Sequence, residues 1–167
     1  MIENWKLFFK TYNKENLILQ IKKHPEDFEK LIELAISNSD FSWRATWLLW
    51  SCMEENDIRI KKFTNKFVEI LPNRDGNQQR EIIIILEKMQ LQEQEEGRLF
   101  DTCILIWENT KNTPSLRYHA FKMILKIVEK YNDLQKEISF LIEPQYTETL
   151  SPGVQQTILK MYKNLNK

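Results

Sequence analysis

The residues of this 167-residue chain with the chemistry for nucleophilic catalysis are two cysteines, Cys52 and Cys103, and two histidines, His24 and His119. A thiol nucleophile needs an imidazole within hydrogen-bond reach and an acid to orient that ring, and nothing in the spacing of these four links them. They also fail as a zinc set, because zinc sites draw thiolates and imidazoles from close pairs. Gly76, Gly97 and Gly153 are isolated near expected helix boundaries, so no glycine-rich loop offers to cradle a phosphate. Glu93, Glu95 and Glu96 read as a solvated acidic turn, since a hard cation needs converging oxygens and not merely a run of charge. No metal and no cofactor is expected.

Arg59, Lys61, Lys62 and Lys66 could meet phosphates, because lysine and arginine displace the counterions condensed on a nucleic-acid backbone. Only Arg59, Lys62 and Lys66 share one helical side, and the next comparable segment carries Asp101 and Glu108, so no basic track continues. With 24 basic against 24 acidic residues the formal charge is zero, which removes the global electrostatic argument for a nucleic-acid or membrane-surface protein. The longest strictly apolar run, Ile82 to Leu86, is far below the ~18 residues a membrane span requires. The first residues, Met1 to Lys6, show neither a basic nor an apolar signal region, so a cytoplasmic location is expected. Buried, unbridged thiols agree with that compartment.

The elements that must position these residues read as helices. Thr113-Pro114-Ser115-Leu116-Arg117 matches Ser151-Pro152-Gly153-Val154-Gln155. In both, a hydroxyl residue stands where an N-cap accepts a free N–H and proline stands at the first helical position, where its missing N–H costs nothing. Arg44, Arg80 and Arg117 recur near the start of successive apolar segments, with Asp40 expected to cap the first and Asn73-Arg74-Asp75-Gly76 to turn into the second. Apolar residues follow at helical spacing, paired with second segments carrying Ile60, Phe63, Phe67 and Ile70, then Phe100, Cys103, Ile104 and Trp107, then Leu134, Ile138 and Leu141. The isoleucine run Ile82–Ile85 would suit a buried strand alone, but the flanking residues continue a helical register, so an all-round apolar helix is expected. Gln90 to Glu96 is expected to straddle a turn, and Glu143-Pro144 to end a helix. Trp43, Trp47 and Trp50 lie at i, i+4 and i+7, a spacing expected to bury most of the stripe.

Paired helices, a period near 37 residues and an arginine shortly after each start resemble the HEAT and armadillo-type repeats. The resemblance covers about residues 40 to 165. It implies an all-α fold, an α-α superhelix of about four helix pairs, with a divergent cap over 1–39, repeats at 40–74, 75–112 and 113–150, and a capping helix over 151–167. It also implies that the arginines serve a ladder with neighbouring acids and that second helices line a concave binding face. On that basis the expected function is a non-catalytic interaction module presenting its groove to a protein partner. The candidate surface comprises Arg59, Lys62 and Lys66, then Arg98, Asp101, Thr102 and Glu108, then Gln135 and Lys136. The alternative is a nucleic-acid-binding relative: HEAT-like DNA glycosylases are similar in using tryptophan, aspartate and arginine, for which Trp107, Asp101 and Arg98 would be the counterparts.

Overall fold

A computed structural model describes residues 4–165 and contains, among them, helices and turns but no strand. The outermost residues of the expected first and last units, 1–3 and 166–167, lie outside that range. The chain divides into two compact units, 1–91 and 92–167, with the division falling between the two helices of the expected 75–112 repeat.

The first unit begins with α1 (Trp5–Thr11) and α2 (Lys14–Lys23), each started by an asparagine whose side chain accepts an N–H of the first turn: Asn4 from Leu7 and Asn13 from Asn16, both at 3.0 Å. A 3-10 turn over Pro25–Asp27 leads into α3 (Phe28–Ile36), which buries Phe28, Leu31, Ile32 and Ala35. Then come α4 (Ser42–Cys52), α5 (Ile58–Lys61), α6 (Thr64–Ile70) and α7 (Gly76–Glu87). Helix α4 is the hub, lying against α2, α3 and α7. Asp40 does not cap it: Asp40 is exposed, and the turn is held by Ser39, whose hydroxyl accepts the Phe41 N–H at 3.2 Å. Asp75, within the stretch expected to turn into this helix, caps α7, accepting from Asn77 and Gln78. The isoleucine run is helical, with Ile82, Ile83 and Ile85 fully buried, so the crowding of β-branched residues against the preceding turn is outweighed by apolar burial.

Two expectations for this unit are corrected. The single second helix through Ile60 and Ile70 is broken into α5 and α6, where the Thr64 hydroxyl competes for the Lys61 carbonyl at 3.1 Å. The tryptophan stripe is not core: Trp43 is 45% exposed, and Trp47 and Trp50 are half-buried. Ala45, Leu48 and Leu49, on the other face of α4, fill the interior instead.

A buried amide ties this unit together. Gln78 of α7 donates to the Ala35 carbonyl at 2.9 Å and to the Thr46 hydroxyl at 3.4 Å, and accepts from the Ser42 hydroxyl at 3.3 Å. One side chain thus satisfies a carbonyl near the end of α3 while clamping two turns of α4. Arg74 reaches the same end of α3 through the Ile36 carbonyl and the Asn38 side chain.

The second unit comprises α8 (Glu93–Glu108), α9 (Pro114–Val128), α10 (Pro144–Thr147) and α11 (Pro152–Leu165). Gln92 and Glu95 form a capping box at the start of α8, so the acidic run belongs to a helix and the turn ends sooner than expected. Gly97 accordingly lies inside α8, away from any boundary. Thr113 caps α9 and Pro114 occupies its first turn, as the sequence match requires. Where the spacing of Leu134, Ile138 and Leu141 suggested an α-helix, the chain makes two 3-10 turns, Asn132–Gln135 and Ser139–Ile142. The Ser139 hydroxyl takes the Lys136 carbonyl at 3.1 Å, and Pro144 fixes Glu143 in an extended conformation before α10.

The repeat arginines are not equivalent rungs. Arg44 lies over the rings of Phe9 and Trp43, and Arg80 pairs with Glu81. Arg117, only 1% exposed, donates to the Trp107 carbonyl at 2.9 Å, the Thr149 hydroxyl at 2.9 Å and the Tyr146 carbonyl at 2.5 Å, with its guanidinium 4.5 Å from the Trp107 ring centroid. Carbonyls and an indole face replace the expected acid, and burial pulls the Arg117 pKa below the ordinary arginine value.

Candidate functional site

In the second unit a groove runs along α8. Glycine and apolar side chains of α8 form one wall: Gly97, Phe100 and Ile104 recur at three- and four-residue intervals and so share a helix face, with Leu105 beside them. The other wall is built from Ile127 near the end of α9, Tyr131 just beyond it, Leu134 and Phe140 on the 3-10 turns, and Ile138 between them. The groove has two adjoining cavities, of about 700 Å³ and 350 Å³, sharing Phe100, Asp101 and Glu137.

Its floor is apolar and its rim acidic. Leu105 is 67% exposed and Phe140 is also exposed, an unusual position for such residues at a single surface. Glu93, Asp101 and Glu137 contribute carboxylates, and no lining residue is basic. The wall at Tyr131 is fixed by buried Glu96, which accepts the Tyr131 hydroxyl at 2.8 Å and pairs with Lys130. That hydrogen bond, first, and burial hold the Tyr131 phenol above the usual tyrosine pKa. Gly97 matters by what it lacks: a Cβ there would meet no atom within 4 Å, so the position opens directly onto free space.

Of the surface expected from the sequence, Asp101 alone lines this groove. Arg98 is exposed on α8, with its Nε 3.4 Å from the Gln94 carbonyl, and Thr102 bonds the Arg98 carbonyl at 2.9 Å. Glu108 is half-buried at the end of α8, Gln135 donates to the Leu165 carbonyl at 3.3 Å, and Lys136 is exposed. In the first unit Arg59 and Lys62 line a smaller cavity of about 280 Å³, but Arg59, Lys62 and Lys66 each have an acid. Arg59 donates to both oxygens of Asp57 and lies over the Phe28 ring, Lys62 pairs with Glu29, and Lys66 pairs with Glu69. Such pairing leaves little net charge for a phosphate backbone.

The tryptophan, aspartate and arginine named for a glycosylase-like site do not converge on a surface. Trp107 is fully buried, its indole N–H donating to the Leu141 carbonyl at 2.9 Å and its ring centroid 4.6 Å from that of Phe121, the two rings tilted by 42°. Asp101 remains on the exposed side. Among the described residues no cluster of three or more His, Cys, Asp or Glu side chains could hold a metal ion. No helix among them is long and apolar enough to cross a membrane. The groove, and not the individual expected residues, was the feature sequence reasoning missed; its signal is the apolar stripe of α8 through Phe100, Ile104 and exposed Leu105, with Gly97 one turn before it.

An all-α protein built from capped helical hairpins, with starts recurring at a period near 37 residues, is a helical-repeat protein. The family model for the HEAT repeat domain matches residues 6–165, and the chain belongs to that family. No curated protein and no solved structure matches it.

Proposed function

We propose that the chain is a non-catalytic interaction module whose α8 groove receives an amphipathic helix of a protein partner, its apolar side chains in the groove and its basic residues against the rim. The observation that carries this reading is the pairing of an apolar floor with Glu93, Asp101 and Glu137 and no lining cation. Apolar anchors supply affinity for a helix lying in a groove, while carboxylates around them select the sign of the flanking charge and speed encounter. A nucleic acid would be repelled by the same rim.

The test compares two synthetic helical peptides with the same leucine stripe, one carrying lysines and one glutamates on its polar face, titrated by fluorescence anisotropy. The lysine peptide should bind, weaken with salt, and be displaced by Gly97→Trp, which fills the groove at an open position. Equal binding of the two peptides, or full retention by Gly97→Trp, would sink the proposal.

A further inference from the structure

The exposed tryptophan stripe of α4 borders a second, separate cavity in the first unit, of about 310 Å³. It lies where the α1–α2 turn, α4 and α7 meet, and three rings open onto it: Tyr12, 38% exposed, with Trp43 and Trp47. We propose that this cavity binds a small aromatic anion, a planar ring carrying one phosphate or carboxylate.

The Trp47 ring is held from below. Trp50, at the inner end of the stripe, donates its indole N–H to buried Glu81 and meets Trp47 edge to face at 6.4 Å. Trp47 therefore presents a face whose orientation is set, which lowers the entropy lost when a flat ligand stacks on it.

The charge at the wall selects an anion. Lys14, Arg44 and Arg80 all line the cavity, opposed by Glu81. Glu81 is already committed: one oxygen accepts Trp50 and the other accepts Arg80, at 3.0 Å from its Nε. That leaves Lys14, its ammonium 4.9 Å from the Trp47 centroid, and Arg44, 5.7 Å from the Trp43 centroid, as cations resting on ring faces. A ring face is a weak partner for a cation at an exposed site, and a phosphate or carboxylate is a much stronger one. A cationic ligand would meet two like charges, and a neutral apolar one would strip water from both without replacing it. The volume is at the small end for ligand cavities, room for one ring system and one charged group.

Proton–nitrogen correlation of the indole N–H signals provides the test, with Trp107 as the internal control because it lies buried in the other unit. Adenosine monophosphate and phenyl phosphate are the probes; adenosine and inorganic phosphate each carry half of the chemistry. Both probes should shift the Trp43 and Trp47 signals saturably and leave Trp107 unmoved. Adenosine and phosphate should each bind about tenfold more weakly, the worth of one charge-assisted contact or one stacked ring. Lys14→Gln, at an exposed residue that the fold does not need, and Arg44→Gln should each weaken the probes by about tenfold. Adenosine matching the monophosphate, phosphate matching it, or no saturable shift up to about 10 mM would each overturn the proposal.

Discussion

Arg117 offers the sharpest test of how the second unit is held together. Arg117→Met keeps an unbranched chain in the same space but removes every donor. The Trp107 and Tyr146 carbonyls and the Thr149 hydroxyl then lose the partner they share. Each stranded main-chain acceptor costs about 1–3 kcal/mol, so two give about 2–6 kcal/mol. Some is returned, because the variant no longer holds a guanidinium away from water, the same burial that lowers the Arg117 pKa. A net loss of about 2–4 kcal/mol follows, a large part of the ~5–15 kcal/mol that separates a folded domain from its unfolded chain. Urea unfolding followed by far-ultraviolet circular dichroism reads the loss directly, with near-ultraviolet signals reporting Trp107. Thr149→Val, which removes only the hydroxyl partner, should cost about 1 kcal/mol. Arg117→Lys, keeping charge without the planar fork, should fall between. If Arg117→Met unfolds within about 0.5 kcal/mol of the parent, the buried guanidinium is not what joins the end of α8 to the segment before α11, and the reasoning fails.

Gly97→Ala should raise stability by about 0.5–1 kcal/mol, since it removes glycine's backbone freedom from a helix interior and meets nothing; a lowered urea midpoint would contradict the open surface described at that position. Asp57 caps α5 and grips Arg59, and the Arg59 hydrogen bond, ahead of the opposing effect of burial, holds its carboxyl below the usual aspartate range. Because the folded pKa is the lower one, this stabilisation is present above the unfolded value of about 4 and disappears as pH falls through the folded value. Asp57→Ala should therefore cost about 0.5–2 kcal/mol at pH 7 and progressively less in acid, and a pH-independent difference would refute the linkage. Burial pushes the Cys52 thiol up to about 11, against the weaker pull of Lys22 and Arg59, and Cys103 is buried. Ellman's reagent at pH 7.5 should find both thiols unreactive until guanidinium is added, and a fast native reaction would show that either site is open.

The helix starts were legible because they depend on local chemistry. Thr113 and Asp75 cap where a side-chain oxygen sits before a helical run, and Pro114 begins α9 because proline is harmless there. The isoleucine helix was legible because its flanks outvoted its β-branched core. Asp40 failed because Ser39 holds the turn instead, its hydroxyl accepting the Phe41 N–H and its carbonyl the Ser42 N–H, a choice between neighbouring polar residues that residue type alone does not decide. Spacing shows which residues share a face but not which face is covered: α4 has apolar residues on two sides, and Ala45, Leu48 and Leu49 took the interior from the larger tryptophans. Leu134, Ile138 and Leu141 satisfy a 3-10 path as well as an α-helix, so the second wall of the groove could not be drawn in advance. Asp101 lies on the groove side of α8, whereas Arg98 and Thr102, each one residue past a groove-lining position, turn to the flank of that stripe and could not be separated from it without the opposite wall.

Among the side-chain ties described above, those from Arg117 to Tyr146 and from Gln78 to Ala35 span 29 and 43 residues of sequence. Gln78 and its three partners all precede residue 92, so the amide that clamps α3, α4 and α7 can close before the later residues have left the ribosome. The closure entropy of such loops grows only slowly with their length. A nascent chain stalled soon after Leu91 has cleared the exit tunnel should already resist protease within α4.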